Sequence, residues 1–364
     1  QDILKMTKKI IFSAGGTGGH IFPATNLMKH FFDKGYKVLL VTDTRGNNFI
    51  KNYSKFKSYI LKAGTPTNKN FFKKFLSFLI IFYSIIRSVI ILKKEKPDLI
   101  FGFGGYVSFP ISFASKFFNL PLIIYEYNMV LGRTNKYLSS FSKKILVAKK
   151  ITQNLPEKYK NKTYEVGSIL DKNIINYSTY EKYNNKKNFS ILVLGGSQGA
   201  EIFGTIIPPV IKMIKDEGYT IEINQQCIRS QKKGLVDFYE KNNIKSYIFE
   251  FDKDILKLIL SSSLAVTRCG ASTIAELVHT LTPFIAVPIS HSIDNHQYLN
   301  GKYYKDNGCC WLLQQDNFNA ENLYNLIIET IKNKNKLKNI RENMKKNYNK
   351  NTYSDIENII KEYI

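Results

Sequence analysis

One pattern occurs twice in this chain and narrows the fold more than any other feature. Ile10-Ile11-Phe12-Ser13-Ala14 runs into Gly15-Gly16-Thr17-Gly18-Gly19-His20. Apolar Ile21, Phe22, Leu27, Met28, Phe31 and Phe32 then follow at helical spacing. Far downstream, Ser190-Ile191-Leu192-Val193-Leu194 runs into Gly195-Gly196-Ser197-Gln198-Gly199-Ala200 and restarts the same sequence of elements. Each repeat reads as strand, tight loop, helix. Glycine lets such a loop adopt positive φ and lets a ligand approach the backbone. The amides and dipole at the start of the helix favour an anionic or strongly polar group. For either loop alone, a plain glycine turn with a solvated His20 explains the residues as well. Two copies in 364 residues imply an α/β chain with two Rossmann-like parallel-sheet domains facing across a cleft.

Further apolar runs fill in the first half. Lys37–Thr42 is a strand followed by Asp43, which could hold a ribose or cap a turn. Asp98–Phe103 is a strand followed by the second glycine loop, Gly104-Gly105-Tyr106-Val107-Ser108. Leu122–Tyr125 is a strand ending in Glu126-Tyr127-Asn128, and Leu131–Lys136, with Asn135, opens a helix. Ligands of open α/β sheets bind beyond the carboxyl ends of strands. Three such ends carrying Gly, His, Tyr, Glu or Asn therefore predict a site. Between them, Phe71 to Lys94 reads as a mostly buried helix with basic ends, its uncharged part too short to span a bilayer. The other reading gives it a Lys-flanked aromatic end touching anionic lipid.

In the second half, Leu264–Thr267 is a strand ending in Arg268. The small residues Gly270-Ala271-Ser272-Thr273 then let a phosphate meet backbone amides at a helix start, with Ile274, Ala275 and Glu276 following. Glu276, placed on the first turn, could accept both hydroxyls of a ribose or simply cap the helix. Another strand, Pro283–Pro288, leads to His291, Asp294, Asn295, His296 and Gln297, a cluster suited to sugar hydroxyls. Asp252-Lys253-Asp254 superficially matches a metal-holding pair, but capping of the next helix explains it better, and no metal is expected. Domain bounds are expected at 6–170 and 171–340. A terminal helix within 341–364 is expected to return to the first.

The net charge of +24 comes from 53 Lys+Arg, of which only six are Arg. A basic surface suits nucleic acid or an anionic membrane. The shortage of Arg, the residue that forks onto bases and phosphates, argues against nucleic acid. Four cysteines with no CxxC pair read as buried thiols of a reducing compartment. No signal-peptide pattern is present. Met6 reads as a natural start, with residues 1–5 as upstream read-through or a remnant.

Taken in order, Gly15–His20, Gly104–Ser108, Gly195–Ala200 and Asp294-Asn295-His296-Gln297 resemble the MurG family, the family 28 glycosyltransferases of bacterial cell-wall synthesis. The resemblance runs from Gly15 to the C-terminal helices. It implies a GT-B fold and transfer of N-acetylglucosamine from UDP-N-acetylglucosamine to lipid I, giving lipid II, by a single inverting displacement. It implies no cofactor. It places the protein peripherally on the anionic cytoplasmic leaflet of the bacterial inner membrane, among other cell-wall synthesis proteins. The family's donor positions fall on Thr17, Gly18, Gly19, Asn128, Ser197, Phe251, Ala271 to Glu276 and Gln297. The loops around His20 and Tyr106 match the diphosphate and acceptor positions. Two departures stand out. Asp171 replaces the family's usual Arg, with Lys172 beside it as a point charge, and Glu126-Tyr127-Asn128 replaces a common Glu-Gln-Asn.

Such a transfer needs a base for the acceptor hydroxyl. His20 is the first candidate, because its unperturbed pKa lies near neutrality, and Glu126 the second. The growing charge on UDP needs cations and helix amides, for which Arg268 and the Ala271–Thr273 turn are the candidates. The competing readings are a nicotinamide-dinucleotide oxidoreductase using Gly15–Gly19 with Asp43, and a noncatalytic lipid-surface relative.

Overall fold

The computed structural model describes residues 7–50, 56–64, 71–177, 188–196 and 199–364. The chain divides into two compact units, Gln1–Asp171 with Asn349–Ile364, and Lys172–Tyr348. The first unit holds strands β1 (Lys9–Ser13), β2 (Lys37–Thr42), β3 (Lys57–Ile60), β4 (Leu99–Gly102), β5 (Leu122–Glu126), β6 (Lys144–Val147) and β7 (Thr163–Glu165). They form one seven-stranded sheet in the order β3-β2-β1-β4-β5-β6-β7, with every pairing parallel. The second unit holds β8 (Phe189–Leu194), β9 (Ile221–Gln226), β10 (Lys245–Phe249), β11 (Leu264–Thr267), β12 (Phe284–Ala286) and β13 (Trp311–Leu312). Its six-stranded sheet runs β10-β9-β8-β11-β12-β13, again parallel throughout.

A parallel sheet covered by helices on both faces needs apolar side chains on both sides of each strand. β1 meets this demand: Ile10, Ile11 and Phe12 are fully buried. Phe12 is in register with Phe101 of β4, and their rings stack 5.7 Å apart. Strand order reverses between β1 and β4 in the first sheet and between β8 and β11 in the second. Those two switch points are where ligands of doubly wound folds sit.

The helix Phe71–Glu95 corrects the expectation of a mostly buried element. Phe72, Phe75, Phe78, Phe82, Ile86 and Ile90 make an exposed stripe along it. Ser77, Ser84, Ser88, Ile91, Leu92 and Glu95 are its buried residues. Ser84 Oγ donates to Lys62 O at 2.8 Å, so small hydroxyls let the middle of this helix approach the unit, while Ile91 and Leu92 anchor its end in the core. It is long and apolar enough to cross a membrane by length and composition.

The chain returns to the first unit only at Asn349, so the helix Lys334–Asn347 stays with the second. In the returning helix Thr352–Ile360, Ile356 and Ile360 are fully buried. Tyr353 donates to Leu170 O at 2.6 Å, and Glu357 bridges His30 and Lys34 of the helix Gly18–Asp33.

Glu95 closes the far end of the exposed helix and ties it to two strands, β1 and β3. Lys57 Nζ (2.5 Å), Lys9 Nζ (3.2 Å) and the Tyr59 hydroxyl all donate to its carboxylate. Burial pushes this carboxyl up, but the three hydrogen bonds outweigh burial and hold it at about 2, against an ordinary 4.5. A depressed carboxyl stabilises the fold above its unfolded pKa and ceases to do so as pH falls through the folded value. Denaturant titrations of wild type and Glu95→Gln should therefore differ clearly above pH ~4.5 and converge toward pH ~2. A stability difference that does not depend on pH across this window would remove Glu95 from the balance.

Candidate functional site

In the first unit, three loops leave the carboxyl ends of β1, β4 and β5 and meet. The first is held open by its own backbone. Gly16 lies at φ +80°, and its amide donates to Asp43 Oδ1 at 3.2 Å. Asp43 is buried and also accepts from Gly46 N at 2.6 Å. Asp43 Oδ1 thus caps the start of the helix Thr44–Ile50 and steadies the glycine loop, the turn-capping one of its two readings. The helix starts at Gly18 with Thr17 as N-cap, and the Thr17 side chain makes no capping bond to any described residue.

The second loop needs glycine at two successive residues. Gly104 and Gly105 lie at φ +81° and +78°. A Cβ on Gly104 would come 3.2 Å from His20 Cε1 and 3.3 Å from Asn135 Nδ2. A Cβ on Gly105 would come 3.2 Å from Gly15 O. The absent side chains are what let His20, Asn135 and the first loop gather at one point. Tyr106 follows, half-buried.

His20 is fixed at one nitrogen. Its Nδ1 lies 2.7 Å from Phe103 O, a group that only accepts, so Nδ1 carries the proton. In the neutral ring Nε2 then keeps a lone pair. The Tyr127 hydroxyl lies 3.4 Å from that Nε2.

Glu126 is buried at the end of β5 and accepts four hydrogen bonds. Oε1 takes Asn128 N and Nδ2, both at 3.1 Å, and Oε2 takes Gly132 N at 2.9 Å and Asn135 Nδ2 at 3.0 Å. Burial pushes its carboxyl above the ordinary carboxylate range, and these bonds pull the other way. The carboxylate pins the loop 128–135 and is not available to a substrate proton without breaking that set. Asn135 also donates to Tyr125 O at 3.0 Å, while its buried Oδ1 has no hydrogen-bond partner among the described residues.

The second unit repeats the layout. Gly195 N donates to Gln226 Oε1 at 3.0 Å, and Gly196 and Gly199 lie at φ +81° and +73°. Ser197, a candidate donor contact, falls outside the described residues. Arg268 follows β11, and its amide donates to Leu194 O at 3.0 Å. Its guanidinium is not presented to solvent as a phosphate fork. It is buried, lies 5.0 Å from the Phe203 ring centre and donates to Val287 O at 3.2 Å. Burial lowers its pKa.

Gly270 is the N-cap of the helix Ala271–His279, which carries Ser272, Thr273, Ile274 and Ala275 in its first turns. Ser272 Oγ is buried without a hydrogen-bond partner among the described residues. Glu276 is the sixth residue of this helix, so it stands on the second turn and not the first. The helix begins at Ala271 because Gly270 is extended, at φ −66° and ψ 130°.

Beyond β12, Asp294 and Asn295 lie at φ 51° and 55°, and His296 opens the helix His296–Asp306 with Nδ1 2.7 Å from Ile293 O. Gln297 Oε1 accepts from Ile289 N at 3.1 Å. Phe251 is 70% exposed. Of the Asp252–Asp254 pair, Asp252 accepts from Asp254 N (2.6 Å) and Tyr247 (2.9 Å), and Asp254 pairs with Lys257. Asp254 is an N-cap, but its side chain makes no capping bond to any described residue, so the capping expectation is replaced by a local turn.

Three participants escaped the sequence. Gln226 holds the Gly195 amide from the end of β9. Asn300 Nδ2 donates to Cys269 O at 3.1 Å and steadies the loop before Gly270. Arg45, largely exposed, brings Nη2 to 3.4 Å from where a Gly16 Cβ would stand. Gln226, at a strand end, carried a faint signal of this, and Asn300, inside the helix His296–Asp306, carried none.

The glycosyltransferase family 28 N-terminal domain matches residues 10–147, and the family's C-terminal domain matches residues 190–360. A Pelagibacter ubique protein is 35% identical over 362 residues, spanning 98% of this chain and all of its own length. A Rickettsia canadensis protein is 38% identical over 328 residues, 90% of this chain and 91% of its own. Both are named UDP-N-acetylglucosamine–N-acetylmuramyl-(pentapeptide) pyrophosphoryl-undecaprenol N-acetylglucosamine transferase. The crystal structure of Acinetobacter baumannii MurG superposes with a TM-score of 0.80 at 24% identity, covering 98% of this chain and 99% of that one, which shows the GT-B fold. With both domain models matched along its length, the chain belongs to glycosyltransferase family 28.

Proposed function

We propose that this enzyme transfers N-acetylglucosamine from UDP-N-acetylglucosamine to lipid I, forming lipid II for peptidoglycan. The names of its relatives support the donor and acceptor. The observation that carries the chemistry is the His20 tautomer, with Nδ1 held by Phe103 O and Nε2 left as the acceptor beside two positive-φ glycine loops. In the reaction, the acceptor hydroxyl oxygen attacks the anomeric carbon while its proton passes to His20 Nε2. The bond from that carbon to the UDP oxygen breaks, and configuration inverts. Glu126 is assigned to holding the loop 128–135, with Asn128 and Asn135 on it, and the base role falls to His20 alone.

On the donor side, the amides at the start of Ala271–His279 receive the diphosphate, and Glu276 accepts the ribose hydroxyls. The macrodipole acts within the first turn, so a second-turn acid gains little from it, and a ligand role explains Glu276 better than helix stabilisation. Arg268 contributes charge from beneath the loop and does not clasp the phosphates as a fork. Thr17 to Gly19, Tyr106, Ser197, Phe251, His296 and Gln297 complete the substrate contacts.

The exposed stripe from Phe72 to Ile90, with Lys73 and Lys74 at its start, supports a peripheral seat on an anionic membrane, where a lipid-linked acceptor resides.

Vesicle sedimentation tests that seat. Each Lys near anionic lipid adds ~1 kcal/mol, screened by salt, so binding should weaken in high salt and in Lys73/Lys74→Glu. Indifference to both would rule the surface out. His20→Ala should lower kcat ~10²–10⁴-fold while UDP binding persists in calorimetry. A variant with normal turnover would move the base elsewhere. Glu276→Ala loses hydrogen bonds to a charged group, worth ~1.5–3 kcal/mol, so UDP should bind ~10–150-fold more weakly. A 2′,3′-dideoxyribose analogue should feel the change less, and equal loss for both ligands would refute the ribose contact.

A further inference from the structure

Tyr127, between Glu126 and Asn128, stands against His20. The two rings meet edge to face, with centroids 5.2 Å apart and planes at 84°. The Tyr127 hydroxyl lies 3.4 Å from His20 Nε2, at the long end of hydrogen bonding. A Cβ on Gly19 would come 3.1 Å from the same hydroxyl oxygen, so the phenol leans closely over the helix start. Its own backbone is pinned from both sides. Glu126 before it takes Asn128 N and Nδ2 after it. Burial, and then the neighbouring Glu126 charge, push the phenol well above its ordinary pKa, so it remains a neutral O–H.

We propose that Tyr127 is a positioning residue for His20, a neutral hydroxyl that keeps the imidazole aimed through both of its protonation states. The proposal rests on His20 as the base. Phe103 O holds the ring at Nδ1, and the Tyr127 hydroxyl stands at Nε2. A hydroxyl both donates and accepts. Tyr127 can therefore donate to the Nε2 lone pair before the acceptor sugar arrives, and accept from Nε2–H once the proton has moved. Its long contact is readily displaced by a substrate hydroxyl. A Phe at this position would keep the ring contact and lose both capacities. A Gln would keep a donor and an acceptor and lose the ring.

The experiment compares Tyr127→Phe, Tyr127→Gln and His20→Ala by kcat and KM for UDP-N-acetylglucosamine, UDP titration calorimetry and melting curves. Losing one neutral hydrogen bond should lower kcat of Tyr127→Phe by ~2–10-fold. Donor KM, UDP affinity and melting temperature should stay at wild-type values. Tyr127→Gln should recover most of the lost kcat. If Tyr127→Phe turns over normally while His20→Ala is inactive, Tyr127 only packs and the proposal falls. It falls equally if Tyr127→Phe loses UDP affinity and melting temperature along with kcat. Should Tyr127→Phe not fold, a Tyr127→Gln protein with kcat as low as His20→Ala would overturn it, and near-normal kcat would uphold it. Normal turnover in His20→Ala is a different failure, because it removes the base and not its support.

Discussion

Backbone packs directly on backbone where the first two loops of the N-terminal unit meet. Gly105 lies against Gly15 O, and Gly15 in turn lies against Val107, whose Cβ would stand 2.8 Å from a Gly15 Cβ. Nothing with a side chain fits either place without displacing the other loop. Everything else at this end of the sheet depends on that approach. It brings His20 under Phe103 O, and it leaves the space that Asn135 enters from the third loop. Glu126 then locks the third loop with four hydrogen bonds. The result is a preorganised cluster whose polar atoms are already oriented, which is the condition for charge stabilisation without reorganisation.

The second unit reaches a comparable arrangement by other means. Its glycine loop is tied by the side chain of Gln226, where the first uses Asp43. The Gln226 side chain is a neutral amide where Asp43 is an acid. Arg268 lies buried beside Leu194, with its charge facing Phe203 and Val287 O.

How much of this was legible in the residues varied with the kind of constraint. The glycine loops were plain, because positive φ and close approach leave only one residue type, and the apolar runs gave the strands of both sheets. Four-residue β3 and two-residue β13 are sheet edges, too short to show a period. Acidic residues were the least legible. Asp43, open between a ribose acid and a turn cap, and Glu126, a candidate base, both hold backbone amides, a use that depends on how the following loop folds. The helix Phe71–Glu95 misled for a related reason. Its aromatic stripe suggested burial, but the aromatics are exposed and the buried face belongs to Ser77, Ser84, Ser88, Ile91 and Leu92. Glu276 shifted by one turn, because a helix start is set by the conformation of Gly270, which the sequence leaves open.

The return of Asn349–Ile364 to the first unit has a consequence for biogenesis. Residues 172–348 form a contiguous unit that can collapse as it leaves the ribosome, since domains fold as units during synthesis. The earlier unit cannot. Leu170 O waits for Tyr353 and His30 for Glu357, partners that are translated only after the whole second unit. The part of the enzyme made first is therefore completed last. Until then the first unit lacks the helix that buries Ile356 and Ile360.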